Sequence, residues 1–318
     1  MRKDITFLIN SSEITAGTRG ASLGPGAVIT AARTLKNNFF GNYKLLNLED
    51  NNHVLDSSSN FNFAKNAEAL LDVYKRISNA LGEVYSSNQF PFVLAGDHGS
   101  AGGTIAGIKK QFPDKRLGVV WIDAHGDIHS PYTTPSGNMH GMPLSTALNS
   151  DNLKSKVNSI SEVEKNVWDE LKQLHGIVPK IYPEDLIFIG VRDLEVEEIS
   201  IINELNIRTI LVDEVRSKGA DKISTDVLNY LYSCDLIYIS FDVDSMDPDI
   251  TSYGTGTPVK NGLFPEEVVT IMKGVIASRK VCCLEVVEVN PCLDDKKNKM
   301  AEITFEIVEE LVTKIESV

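Results

Sequence analysis

The feature that most constrains this chain is the way its buried runs end. Residues 118–122 form a short apolar run (G-V-V-W-I) that stops in D-A-H-G-D, placing Asp123, His125 and Asp127 in quick succession. A short apolar run closed by polar residues reads as a buried strand that opens at the edge of a sheet. In extended chain alternate residues share a face, so the three side chains are expected to converge on one point. The pattern returns twice. His98 closes the run at 92–94 in L-A-G-D-H, and Asp242 and Asp244 close the run at 236–243 in S-F-D-V-D. A lone Asp-Val-Asp reads as a turn or a helix cap, but three strand ends carrying such residues together do not. Four of the six histidines (His98, His125, His129 and His140) fall within 43 residues, which concentrates the chemistry further.

Strand-like and helix-like segments alternate around those runs. Strands are expected at 5–9, 43–48, 92–94, 118–122, 186–190, 209–212, 236–243 and 281–289. Helices are expected at 27–36, 63–85, 102–110, 163–174, 264–276 and 301–318. The helix at 63–85 carries Ala67, Leu70, Leu71, Tyr74, Ile77 and Leu81 at helical spacing. Such alternation predicts an α/β fold, a three-layer α/β/α arrangement with a mostly parallel central sheet. Sites in these sheets lie beyond the C-terminal strand ends, where the polar clusters fall. A chain of 318 residues has room for about two domains. Residues 149–184, however, are polar and lysine-rich and lack the apolar strand that a separate core needs. The reading is therefore one domain over 1–318, with 149–184 as an excursion within it.

Composition excludes several classes of function. The net charge is −13, which argues against nucleic-acid and anionic-membrane partners, since both call for a basic patch. No run of about 18 apolar residues marks a membrane span. The first ten residues read as a strand and not as a signal peptide, so a cytoplasmic location is expected. The glycine-rich loop at 17–26 is not followed by Gly-Lys-Ser/Thr and is no phosphate loop. The four cysteines are not spaced as zinc pairs, and a chain of this size needs no disulfide staples.

The strand ends supply two imidazoles, His98 and His125, and four carboxylates, Asp123, Asp127, Asp242 and Asp244. One ion rarely uses six such groups. Two divalent ions bridged by carboxylates do, and their charge balances the four carboxylates. Oxygen ligands mixed with imidazole, without thiolate, favour Mn²⁺ over structural Zn²⁺. Two such ions roughly 3.5 Å apart can deprotonate a shared water at neutral pH.

These segments resemble the ureohydrolase family, the binuclear manganese enzymes that include arginase, agmatinase and formimidoylglutamase. The resemblance runs from the glycine-rich loop to E-V-N-P at 288–291. Within the family, D-I-H-S-P-Y-T-T-P-S-G-N-M-H-G-M-P and G-T-G-T-P are most similar to arginase. It implies an arginase-like fold, two Mn²⁺ ions per chain, and hydrolysis of L-arginine to L-ornithine and urea through a metal-bridging hydroxide. Asp123 and Asp242 would bridge the ions, His98 and Asp127 would complete one, and His125 and Asp244 the other. Glu288 would pair with the guanidinium, Thr257 would lie near it, and His140 would transfer the proton. His129, Ser136 and Asn138 would bind the α-carboxylate, and Glu195 the α-amino group. A homo-oligomer, trimer or hexamer, is also implied. Arginases usually carry Asn at the position of His129 and Asp at that of Glu195. Both departures touch the amino-acid end of the substrate, so agmatine, another guanidino acid or formimidoylglutamate stand as alternative substrates. A metal-stapled binding protein is the non-enzyme alternative; it leaves His140 without a duty.

Overall fold

The computed structural model describes residues 4–35 and 38–318. Eight strands build one sheet: β1 (Ile5–Asn10), β2 (Lys44–Leu48), β3 (Phe90–Ala95), β4 (Leu117–Ile122), β5 (Leu186–Ile189), β6 (Arg208–Ile210), β7 (Leu236–Asp242) and β8 (Val281–Val287). Their order is β2-β1-β3-β8-β7-β4-β5-β6, and every pairing is parallel. The helices connecting them are α1 (Gly24–Thr34), α2 (Ala67–Ser86), α3 (Ala101–Gln111), α4 (Pro143–Leu148), α5 (Glu162–Lys172), α6 (Val196–Glu204), α7 (Val212–Lys218), α8 (Ala220–Tyr230), α9 (Pro265–Ile276) and α10 (Lys299–Glu316).

The period-two alternation of each strand divides the core into two layers. In β4, Val120 and Ile122 join the cluster under α1 and α7 to α10, while Leu117, Val119 and Trp121 join the cluster under α2 to α6. In β3, Phe92 and Leu94 face the first layer and Val93 and Ala95 the second. Both faces are covered, which is why the strands read as continuous apolar runs. Pro91 is tolerated inside β3 because the pairing with β8 begins only at Phe92.

The chain places β3 beside β1, then crosses to β4, and later inserts β7 and β8 between β3 and β4. The strand order reverses there, so the C-terminal ends of β3, β8, β7 and β4 open side by side into one crevice.

Several boundaries differ from expectation for identifiable reasons. The helix expected from residue 63 starts at Ala67, because Asn66 adopts a left-handed conformation (φ 59°) and its side-chain amide donates to the Ile14 carbonyl at 2.8 Å. The helix expected at 27–36 starts earlier, at Gly24, with Pro25 in its first turn. Its expected last residue, Lys36, lies outside the described residues. The strand expected to reach residue 289 stops at Val287, since Glu288 turns to φ 68°. Residues 149–184 pack onto the main body: α5 buries Val167, Trp168 and Leu171 in the same layer as α2 and α4. Ser161 caps α5, accepting from the Glu164 N–H.

Candidate active site

The ends of β4 and β7 do not continue as extended chain, contrary to expectation. β4 stops at Ile122, and Asp127 reaches the crevice through a left-handed turn (φ 49°). After β7 the chain tightens into a short 3₁₀ turn at Val243–Ser245, and the Asp242 Oδ1 accepts the Asp244 N–H at 2.8 Å. The side chains still converge, but the turns aim them.

The focus is His98, fully buried between layers. Its ring stacks on Trp121 with centroids 4.0 Å apart and planes 4° from parallel. Its Nδ1 faces Asp127 Oδ2 at 2.9 Å, Asp123 Oδ2 at 3.0 Å and Asp242 Oδ2 at 3.1 Å. On the other side, Nε2 meets the Ser240 hydroxyl at 2.8 Å. A second group adjoins the first: His125 Nδ1 lies 3.1 Å from Asp244 Oδ2 and 3.5 Å from Asp123 Oδ1. Asp123 therefore divides its two oxygens between the groups, one toward His98 and one toward His125. Its orientation is held by the Trp121 indole N–H, which donates to Oδ2 at 3.0 Å, and by the His125 backbone N–H, which donates to Oδ1 at 2.7 Å.

The electrostatics show what this packing costs. Burial, and then Asp123 nearby, pushes the Asp127 carboxyl up to about 6, and burial with Asp244 and Asp123 drives Asp242 well up. Burial opposes protonation of His98, yet the three carboxylates outweigh it and raise the imidazole far above its ordinary value. Four crowded carboxylates want positive charge between them. His98 Nδ1 is buried and has no hydrogen-bond partner of acceptable geometry among the described residues, although three carboxylate oxygens surround it. Two clusters, His98/Asp123/Asp127 and Asp123/His125/Asp244, each bring their ligand atoms within 4.8 Å of one another. An oxygen and imidazole donor set of this kind fits divalent metal ions.

Above these groups lies a cleft of about 420 Å³. Glu288 and His140 stand on its wall, with His140 Nδ1 3.8 Å from Glu288 Oε1. The same Glu288 oxygen accepts the His98 backbone N–H at 2.9 Å, which ties the carboxylate to the loop that carries His98. Burial lowers the His140 pKa, but Glu288, with Asp127 and Asp97, more than compensates and the net shift is upward. Thr257 also faces the cleft, its hydroxyl donating to Asp244 Oδ2 at 3.0 Å.

At the rim, Ser136 is exposed and its Oγ accepts the Asn138 N–H at 3.1 Å. His129 is buried, with Nδ1 against Thr133 Oγ1 at 3.1 Å and Nε2 3.4 Å from Glu195 Oε2. The two positions that depart from the arginase pattern thus pair with each other. Glu195 caps α6, and its carboxyl is held down to about 2, first by His129.

Several residues of this site were not read from sequence. Ser240 and Trp121 support His98 and Asp123, and Asp193 Oδ2 lies 3.8 Å from His125 Nε2. Ser240 precedes Asp242 by two residues, so strand periodicity could have found it. Glu198 lines the cleft beside Glu195, and its i, i+3 spacing is the available signal. Lys65 Nζ donates to Asn138 Oδ1 at 3.3 Å from 73 residues away, and nothing local announces that contact.

The family model for the arginase family matches residues 4–313. The chain belongs to the arginase family. It is 33% identical to the arginase of Bacillus subtilis (strain 168) over 314 residues, covering 99% of each chain. Its fold matches the crystal structure of Bacillus caldovelox arginase with a TM-score of 0.80 at 30% identity over 98% of each chain. Formimidoylglutamase from Bacillus subtilis, at 18% identity, shares the fold alone, with a TM-score of 0.74 over 99% of this chain and 87% of that one. The family is metal-dependent, and this member is an arginase-type C–N hydrolase that acts on linear amidines. No helix among the described residues is long and apolar enough to cross a membrane.

Proposed function

We propose that this chain is a single ureohydrolase domain over residues 1–318 that hydrolyses L-arginine to L-ornithine and urea, with two Mn²⁺ ions per chain. The observation that carries the reading is the division of Asp123 between two ligand groups, Oδ2 toward His98 and Oδ1 toward His125. A carboxylate so divided suits a bridge. Asp242 would serve as the second bridge, with His98 and Asp127 completing one position and His125 and Asp244 the other. Ions held there would supply a water acidic enough to attack at neutral pH.

The remaining work belongs to the side chains of the cleft. Glu288 is 3% exposed and directs its carboxylate at the guanidinium, fixing the carbon to be attacked. Thr257 holds Asp244 in place and lines the same end of the cleft. When the C–N bond breaks, the departing nitrogen needs a proton. His140 carries it, because Glu288 keeps its imidazole more basic than usual. Ser136, Asn138 and His129 serve the α-carboxylate, and Glu195 the α-ammonium. We further propose a cytoplasmic homo-oligomer, a trimer or hexamer.

The test is a comparison of kcat/KM for L-arginine, agmatine, 4-guanidinobutyrate and formimidoylglutamate with Mn²⁺-loaded protein. L-Arginine should be preferred. Preference for any of the other three overturns the substrate and leaves the metal reading standing.

A further inference from the structure

Beneath His98 the sheet carries a carboxylate that the chemistry above does not use. Glu285, on β8, is completely buried, with Leu284 and Val286 on either side. It is the register partner of Ser240 on β7. A position that needed only packing would be apolar here, since a buried carboxylate costs several kcal/mol unless it is well partnered. No cation pairs with it among the described residues. Its Oε2 accepts from the Tyr238 hydroxyl at 2.5 Å; its Oε1 has no hydrogen bond of acceptable geometry there, although the Thr104 hydroxyl is close enough to oppose the rise of its pKa.

Tyr238 sits two residues before Ser240 on the same face of β7, and Ser240 acts on the phenol as a donor would, opposing the rise of its pKa. Burial and the Glu285 charge push the phenol pKa well up, so Tyr238 keeps its proton and donates it toward Glu285. For His98 to present a lone pair at Nδ1, its proton must sit on Nε2, which faces Ser240 at 2.8 Å. Each proton then has one consistent direction: His98 Nε2–H to Ser240, Ser240 O–H to Tyr238, Tyr238 O–H to Glu285.

We propose that Glu285, acting through Tyr238 and Ser240, is a positioning residue that holds His98 in the metal-binding tautomer and strengthens it as a ligand. The arrangement lengthens the usual carboxylate–histidine–metal contact by two hydroxyls. This inference rests on the metal reading of the site.

The test measures Mn²⁺ affinity by the electron paramagnetic resonance of free Mn²⁺, on the full chain, for wild type, Glu285→Gln, Tyr238→Phe and the double variant. Loss of such a support typically weakens metal binding about 10- to 100-fold. Across two intervening hydroxyls we expect about tenfold for the ion held by His98 in each single variant. Because the relay acts as a unit, the double variant should lose no more than either single. A merely structural role would lower Tm and leave Mn²⁺ affinity within about twofold of wild type, and that result overturns the proposal. Should Glu285→Gln fail to fold, Tyr238→Phe, which removes one oxygen, decides alone. Wild type that binds no Mn²⁺ overturns the metal reading and the relay with it. Wild type that binds Mn²⁺, with variants that bind equally well, overturns the relay alone.

Discussion

Replacing Glu288 by Gln isolates charge from shape. The backbone at this position is left-handed (φ 68°), but Glu and Gln share the same Cβ and bear that conformation alike. Gln keeps an oxygen able to accept the His98 N–H, now 2.9 Å from Glu288 Oε1, so the ligand loop should hold its place. What changes is recognition of a cation. A carboxylate facing a guanidinium makes two charge-assisted hydrogen bonds of about 1.5–3 kcal/mol each. Gln keeps one acceptor oxygen and so retains one such bond to the cation. The difference, about 1.5–3 kcal/mol, corresponds to a loss of about 10- to 150-fold in kcat/KM. Urea release from L-arginine measures the loss, and elemental analysis of the same sample measures the metal. The reasoning is refuted if kcat/KM stays within threefold of wild type, or if metal is lost together with activity, which would make Glu288 a ligand.

Three other perturbations follow from the same geometry. His140→Asn should lower turnover by about 10²- to 10⁴-fold with metal content unchanged, and an unaltered pH–rate profile would mean that the proton comes from elsewhere. His129→Asn should leave L-arginine preferred and release the Glu195 carboxyl from about 2 toward the ordinary glutamate range, read by carbon NMR; a carboxyl that stays low contradicts the pairing. Lys180 is 3% exposed, donates to the Leu171 and Lys172 carbonyls at the end of α5, and is lowered by burial from 10.5 to about 8. A depressed lysine contributes stability above its unfolded pKa and loses it as pH falls through the folded value. Chemical denaturation should therefore show wild type gaining about 3 kcal/mol relative to Lys180→Met between pH 8 and 10.5; a flat difference contradicts this.

The layered fold was legible because each strand is buried on both faces and reads as a continuous apolar run. The carboxylates and imidazoles that gather in the crevice were legible because they close those runs. The route by which they converge was not. Extended alternation accounts for neither Asp127, which arrives by a left-handed turn, nor Asp244, which arrives by a 3₁₀ turn. The turn at Asp244 is a local cap, Asp242 Oδ1 accepting the Asp244 N–H at 2.8 Å, which is what an Asp-Val-Asp taken alone would suggest. The pairing of His129 with Glu195 joins positions 66 residues apart, and that of Tyr238 with Glu285 joins strands adjacent in space but 47 residues apart. Local spacing carries no trace of either. The expected end of the strand at residue 289 overran for a similar reason: Glu288 leaves the ladder to donate its N–H to the Gly96 carbonyl at 3.0 Å.

The central claim is that two metal positions share Asp123. Titrating metal-free protein with Mn²⁺ while following urea release from L-arginine tests it most directly. The rate should rise until two equivalents per chain are bound and then level off, and Asp123→Asn should abolish that end point. Full activity at one equivalent, or activity that survives exhaustive chelation, would contradict the account.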